Sequence, residues 1–288
     1  MFAHLKSVLN FSAFRPEADD PRASWQARFE GRPTAQLHIG RASLSYSLID
    51  GKGQRSTGEV MRGDLKEAFN SFGPAIRNAT DGGWCIVSLD SRYMITVESN
   101  LSRKKGSEEA LKKDPRSVLH ARYERGKRYM VTHNPETNSS LLLAYDEEQI
   151  KKVESLCQEQ KLKVGRLCCG TYVLLRHALT LTNTKKGSDT PFSALYVACC
   201  GGSVCVLSQD KDNWVELRSR SDVYDHDIKP LIDLVAPFHE RIAPDTGLVL
   251  VCDEPIAGLA ESIAWAFPGR EINDLTEAGL LTRLLYVN

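Results

Sequence analysis

The spacing of apolar positions changes repeatedly along the chain, and the changes mark out strands and helices. From residue 36, QLHIGRASLSYSLID alternates apolar and polar residues and runs into the glycine-rich GKGQ, which predicts a hairpin opening a sheet over residues 35–62. Asp64 is placed to cap a helix in which Leu65, Ala68, Phe69 and Phe72 recur at helical spacing, and Gly73-Pro74 is expected to kink or end it. WCIVSLD reads as a buried strand and SRYMITVE as its alternating neighbour. RYMVT and SLLLAYD flank the turn signal HNPETNS. Asp146 then precedes a helix with acidic residues in its first turn and Ile150, Val153 and Cys157 as its apolar stripe, and KVGRLCCGTYVLLRHAL reads as strand, turn and apolar helix.

The polar stretch NTKKGSDT, residues 183–190, is expected to separate two halves. Beyond it SALYVACC, GGSVCVLSQ and NWVELRSR predict three successive strands with tight turns. A helix follows with Ile228, Leu231, Leu234, Val235 and Phe238 on its apolar side, then the buried strand GLVLVCD, the helix IAGLAESIAWAF and the edge strand REIND.

Composition narrows the function classes. In 288 residues, 37 Lys and Arg balance 37 Asp and Glu, so no overall field draws the chain to nucleic acid. Charge is local instead: residues 101–128 carry ten cations and four carboxylates, a net +6, which is either a surface for an acidic protein or anionic headgroups or a solvated helix-and-loop face. The opening MFAHLKSVLNFSAF lacks the continuous apolar core of a signal peptide, and reads as a plain tail or as a short amphipathic helix touching a membrane or partner. No run reaches the roughly 18 apolar residues of a membrane-spanning helix, so a soluble chain is expected.

The eight cysteines do not read as a disulfide framework, because Cys85, Cys199, Cys200, Cys205 and Cys252 lie in apolar runs and predict buried free thiols in a reducing compartment. Cys168-Cys169 and Cys199-Cys200 point to opposite faces of their strands and make poor chelates, so no metal site is expected. The sharpest polar cluster, Tyr224-Asp225-His226-Asp227, has the groups for acid–base or metal chemistry, but a helix cap by Asp225 or Asp227 is the preferred reading. His177 and His239 read as ordinary helix histidines. No phosphate-loop lysine motif, nucleophile elbow or dinucleotide fingerprint is present.

Two halves that each begin strand, glycine turn, strand and continue into helices follow the plan of the actin-like fold. The succession WCIVSLDSRYMITVESNL, a charged stretch, and then SLLLAYDEEQIKKVESLCQEQKLKVGRLCCGTYVLLRHAL resembles the type IV pilus assembly protein PilM and its relatives, which include FtsA and the cytoplasmic domain of GspL. The resemblance spans about residues 35–288 and rests on element order and hydrophobic pattern. It implies an α/β fold of duplicated, ribonuclease H-like halves with an inserted α+β subdomain: a leader over 1–34, a first half from 35–83 and 165–182, the insertion over 84–164 and a reduced second half over 191–288.

An actin-like site holds phosphates on backbone N–H groups of two hairpins and positions hydrated Mg²⁺ with an Asp beside each. Here the first loop reads His38-Ile39-Gly40-Arg41-Ala42-Ser43, with an imidazole where the family has a carboxylate. The second reads Ala198-Cys199-Cys200-Gly201-Gly202-Ser203, with its Asp replaced by Ala198. At the adenosine loop, Cys252-Asp253-Glu254-Pro255 precedes Gly258-Leu259, which puts carboxylates and a proline where bare backbone should approach the nucleotide. The resemblance thus implies degenerate nucleotide loops, no catalysis and no cofactor. Asp253 or Asp50 could restore a carboxylate from another position and so retain ATP binding.

What the resemblance implies is a cytoplasmic scaffold of a pilus or type II secretion-like assembly, peripheral to the inner membrane through its partners. Such a scaffold docks the cytoplasmic tail of a PilN-like bitopic membrane protein in a groove between the inserted subdomain and the first half. Carried over by region, this implicates Trp84, Arg92, Tyr93, Arg103, Lys104, Lys105 and Lys112. The alternative is an active actin-like ATPase or kinase with a divergent site. A division protein of the FtsA type is a third reading, opposed by the terminal LLTRLLYVN, which does not read as an amphipathic membrane helix.

Overall fold

A computed structural model describes residues 31–40, 43–50, 52, 56, 59–91, 94–99, 127–133, 140–184, 192–211, 213–221 and 227–287. Contacts divide the described chain into two units, the first within residues 1–90, 151–170 and 285–288 and the second within 91–150 and 171–284.

The first unit is built on a five-stranded sheet. Strands β1 (Thr34–Ile39), β2 (Ser43–Ile49) and β3 (Glu59–Arg62) run antiparallel to one another, and β4 (Trp84–Leu89) and β8 (Lys163–Cys169) extend the sheet in parallel in the order β3-β2-β1-β4-β8. Helix α1 (Leu65–Ala79) starts as the sequence predicts, with Asp64 accepting from the amides of Lys66 and Glu67 at 2.8 and 3.1 Å. Its Ala68, Phe69, Phe72 and Ile76 are buried, and Phe72 meets the ring of Tyr46 on β2 edge-on at 4.8 Å. Burial of such side chains contributes about 1.5–3 kcal/mol each.

Gly73-Pro74 does not end the helix, since α1 continues through Pro74 to Ala79. Proline removes one N–H, but the buried face recurs beyond it at Ile76, and Gly73 packs so closely on Gln160 that an added Cβ would lie 2.5 Å from its amide oxygen. Tertiary contact outweighs the local breaker.

The second unit repeats the plan. Strands β9 (Ala194–Cys200), β10 (Ser203–Asp210), β11 (Asn213–Arg220), β12 (Gly247–Cys252) and β13 (Ile272–Asp274) pair in the order β11-β10-β9-β12-β13, with the same alternation of antiparallel and parallel neighbours. Helices α4 (Lys229–Val235) and α5 (Leu259–Ala266) follow in this unit, with a short 3-10 turn at Ala236–Phe238, and α6 (Leu280–Val287) begins in it. The core on one face joins Leu195, Val197 and Cys199 of β9 to Leu231, Val235, Phe238, Ile263 and Phe267. Elsewhere the fully buried Tyr196 places its hydroxyl 2.8 Å from that of Thr182, on helix α3 (Gly170–Thr184).

A smaller antiparallel sheet, β5-β7-β6, is formed by β5 (Met94–Ser99), β6 (Lys127–His133) and β7 (Ser140–Asp146). Asp146 caps helix α2 (Glu147–Glu159) by accepting from the Glu148 amide at 3.0 Å.

Two expected boundaries move. Residues 84–89, assigned by sequence to the insertion, are the strand between β1 and β8 in the first sheet, because WCIVSL is apolar at nearly every position and suits a central parallel strand covered on both faces. Residues 171–182, assigned to the first half, lie in the second unit, where Thr182 satisfies Tyr196.

Candidate functional site

The turn after β1 and the turn after β9 are the structural counterparts of the two predicted phosphate loops. In the first, the Gly40 amide donates to the Ser43 carbonyl at 2.9 Å, and a Cβ on Gly40 would crowd the Ser43 hydroxyl at 2.5 Å. His38, on the last turn of β1, is 7% exposed and its Nδ1 lies 2.7 Å from Ser88 Oγ, its register partner on β4. The imidazole is therefore tied to a buried hydroxyl.

In the second turn, Gly201 and Gly202 have φ of +54° and +81° and join Cys200 to Ser203 in a two-residue hairpin. Left-handed conformation at both central residues is the type I′ requirement, which only glycine meets without strain. Ala198 is fully buried and registers with Cys205 and Val251, so its side chain sits in an apolar row. Ser203 is also buried; its hydroxyl accepts from the Ser91 amide at 3.0 Å.

Of the residues predicted to form an adenosine loop, Asp253 is committed to the C-terminal helix. Asp253 is 4% exposed, and its carboxylate accepts from the Leu281 amide at 2.7 Å while its carbonyl accepts from Gly279 at 2.8 Å. A carboxylate at the start of a helix offsets both the orphan amide and the positive end of the dipole. Gly258, at φ +72°, forms the turn into α5 without a side-chain cap. Leu280, Leu281 and Leu284 of α6 are buried.

Asp50, the other carboxylate considered as a substitute, binds the Lys52 amide at 2.8 Å. It follows Ile49, which registers with Thr34 at the opposite end of β1 from Gly40. Six strand residues separate those ends, roughly 20 Å. Asp50 is therefore out of reach of the first loop.

Sequence reasoning missed Asp90. It is 1% exposed, and its amide donates to the Ile39 carbonyl at 2.9 Å, as the amide of Asp253 donates to Cys199 at 3.1 Å in the other sheet. The signal was present as a repeated pattern, an apolar strand closed by Asp in both WCIVSLD and GLVLVCD.

Among the predicted partner-binding residues, Trp84 is half-buried at the start of β4, with the Arg32 guanidinium 5.2 Å and the Lys163 ammonium 4.7 Å from its ring. Arg92, Tyr93, Arg103, Lys104, Lys105 and Lys112 lie outside the described residues. Of the acidic cluster, residues 224–226 are also outside, and Asp227 accepts from the Lys229 amide at 3.1 Å at the start of α4, as a capping role requires.

The described cysteines are all buried, and none of them forms a disulfide. Cys199 and Cys252 register on neighbouring strands, and their mutual hydrogen bond, then burial, pushes the Cys199 thiol up. Burial raises Cys168 to about 11, with Arg166 opposing weakly. Protonated, desolvated thiols are poor nucleophiles and poor metal ligands. Among the described residues there is no group of three or more His, Cys, Asp and Glu able to hold a metal, and no helix long and apolar enough to cross a membrane.

No protein-family model and no curated protein matches the sequence. Solved structures do match. The cytoplasmic domain of EpsL, an inner membrane component of the type II secretion system of Vibrio cholerae, superposes with a TM-score of 0.54 at 10% identity over 89% of this chain and 95% of that one. A chain of the PilM-PilN type IV pilus biogenesis complex gives a TM-score of 0.54 at 11% identity over 84% and 88%. At that identity the likeness shows architecture alone, an α/β fold that agrees with the duplicated strand order described above.

Proposed function

We propose that this chain is a cytoplasmic scaffold of a type IV pilus or type II secretion-like assembly, which docks the cytoplasmic tail of a PilN-like bitopic membrane protein and does not hydrolyse ATP. The observation that carries the reading is the buried Ala198 methyl at the second phosphate hairpin of an actin-like fold. A methyl group cannot orient hydrated Mg²⁺, His38 is bonded to Ser88, and Asp253 holds the α6 amide. The residues present do not fit Mg-ATP, and no catalytic step is derived through it. Structures similar to this one belong to an inner membrane secretion component and to a pilus biogenesis complex, which supports an assembly role.

Two measurements test the parts separately. Millimolar Mg-ATP should leave the melting temperature unchanged, whereas a ligand present at 100 times its Kd would stabilise the chain by about 2.7 kcal/mol. Saturable binding by calorimetry would overturn the loss of nucleotide function. Coexpression with N-terminal peptides of bitopic inner-membrane proteins should give capture that weakens on charge reversal at Lys104, Lys105 and Lys112. Unchanged capture would remove the basic stretch from the docking surface.

A further inference from the structure

Trp265, on α5, is 84% exposed, the largest apolar side chain so placed among the described residues. It stands at the rim of a groove of about 410 Å³ lined by Asp227, Ile228, Lys229, Ile232 and Ser262. Every one of these residues belongs to the second unit. An indole left in water costs much of the 1.5–3 kcal/mol that burial of a large apolar side chain returns, and Trp is among the residues most enriched where interfaces concentrate their binding energy.

The groove carries opposite charges two residues apart. Asp227 and Lys229 are both exposed, and neither head group forms an ion pair among the described residues. A protruding indole beside an apolar hollow flanked by one anion and one cation is complementary to itself under a two-fold axis. The indole of each copy fills the hollow of the other, and each Asp227 meets the opposite Lys229. A uniformly basic or acidic partner would leave one of the two charges opposed by its like. Isologous contacts of this kind are the commonest way for identical chains to associate.

We propose that the α4–α5 face, centred on Trp265, is the contact through which two copies of this chain associate. The proposal is independent of the docking and nucleotide readings above, because it uses none of their residues.

Sedimentation equilibrium on the full chain tests it, with circular dichroism confirming that each variant is folded. The unsubstituted chain should show a concentration-dependent monomer–dimer equilibrium below about 100 μM, in the range of weak specific contacts. Trp265→Ser should raise the dimer Kd at least about 30-fold, the loss expected of an energetically central Trp. Ser262→Arg, which fills the hollow and keeps the indole, should do the same. Asp227→Lys alone should weaken the dimer, and the double exchange Asp227→Lys with Lys229→Asp should restore it, since reciprocal pairing survives the swap. A chain monomeric at every concentration, a dimer indifferent to Trp265→Ser and Ser262→Arg, or a double exchange no better than the single one would each overturn the proposal. So would a monomer whose Trp fluorescence shifts on adding a Lys- and Arg-rich peptide, since the face would then serve a basic partner.

Discussion

His38 and Ala198 occupy the same step of two sheets with one strand order, and their surroundings are opposite in character. His38 registers with Ser45 and Ser88, a polar row closed by a 2.7 Å hydrogen bond. Ala198 registers with Cys205 and Val251, an apolar row. Asp90 and Asp253, each two residues beyond the register partner Ser88 or Val251, keep the same backbone bond in both sheets. The same backbone plan therefore carries two chemistries: the first sheet holds a hydrogen-bonded polar pair at this step, and the second holds apolar core.

The sharpest way to break this contrast is to return a carboxylate to each position. Ala198→Asp should lower unfolding free energy by about 4 kcal/mol, because a buried carboxylate there has no donor beside it in the apolar row. His38→Asp should cost only about 1–2 kcal/mol, since Ser88 can donate to the new carboxylate. Urea unfolding midpoints compare the two, and equal losses would show that the rows do not differ in polarity as described.

Asp253→Ala should cost about 1–2 kcal/mol by removing the α6 cap. Greater susceptibility to carboxypeptidase would locate that loss at the C-terminal helix, and unchanged susceptibility would count against the capping role.

The hairpins sharpen the comparison further. Gly202→Ala forces a left-handed alanine and should cost about 1 kcal/mol or slightly more, read as a shift in melting temperature. Gly40→Ala, at a position without positive φ, needs only the Ser43 hydroxyl to turn away and should cost less.

The smallest effect is a pH dependence confined to the second unit. Burial first, then Arg283, lowers the His177 pKa, with Glu277 opposing. Because the folded value lies below the unfolded value of about 6.5, the unfolded chain takes the proton more readily. The contribution is complete above about pH 6.5 and is lost as pH falls through the folded value. His177→Gln should flatten the stability profile between pH 7 and 5 by a small amount, and an unchanged slope would assign that dependence to other groups.

Much of the fold was legible because period and burial agree along it. β9 is apolar at every position and buried at every position, and Asp64 and Asp146 announced their helices by cap chemistry. Pro74 misled because a local breaker was outweighed by Phe72, Gly73 and Ile76 packing around it. Trp84 to Leu89 was assigned to the wrong sheet because strand pairing is non-local and leaves no mark within a six-residue apolar run. At the candidate site, His38 and Ala198 could be picked out as single letters. The partnership with Ser88, 50 positions away, and the capture of Asp253 by Leu281 could not, since neither follows from spacing.

The bond from the Leu281 amide to Asp253 gives the end of the chain an observable of its own. An amide held by a buried carboxylate exchanges its hydrogen only when that contact opens. Leu281 is thus a spectroscopic reporter for detachment of α6, and its exchange rate, followed by NMR while potential partners are added, would register events at the Asp253 turn without any activity to assay.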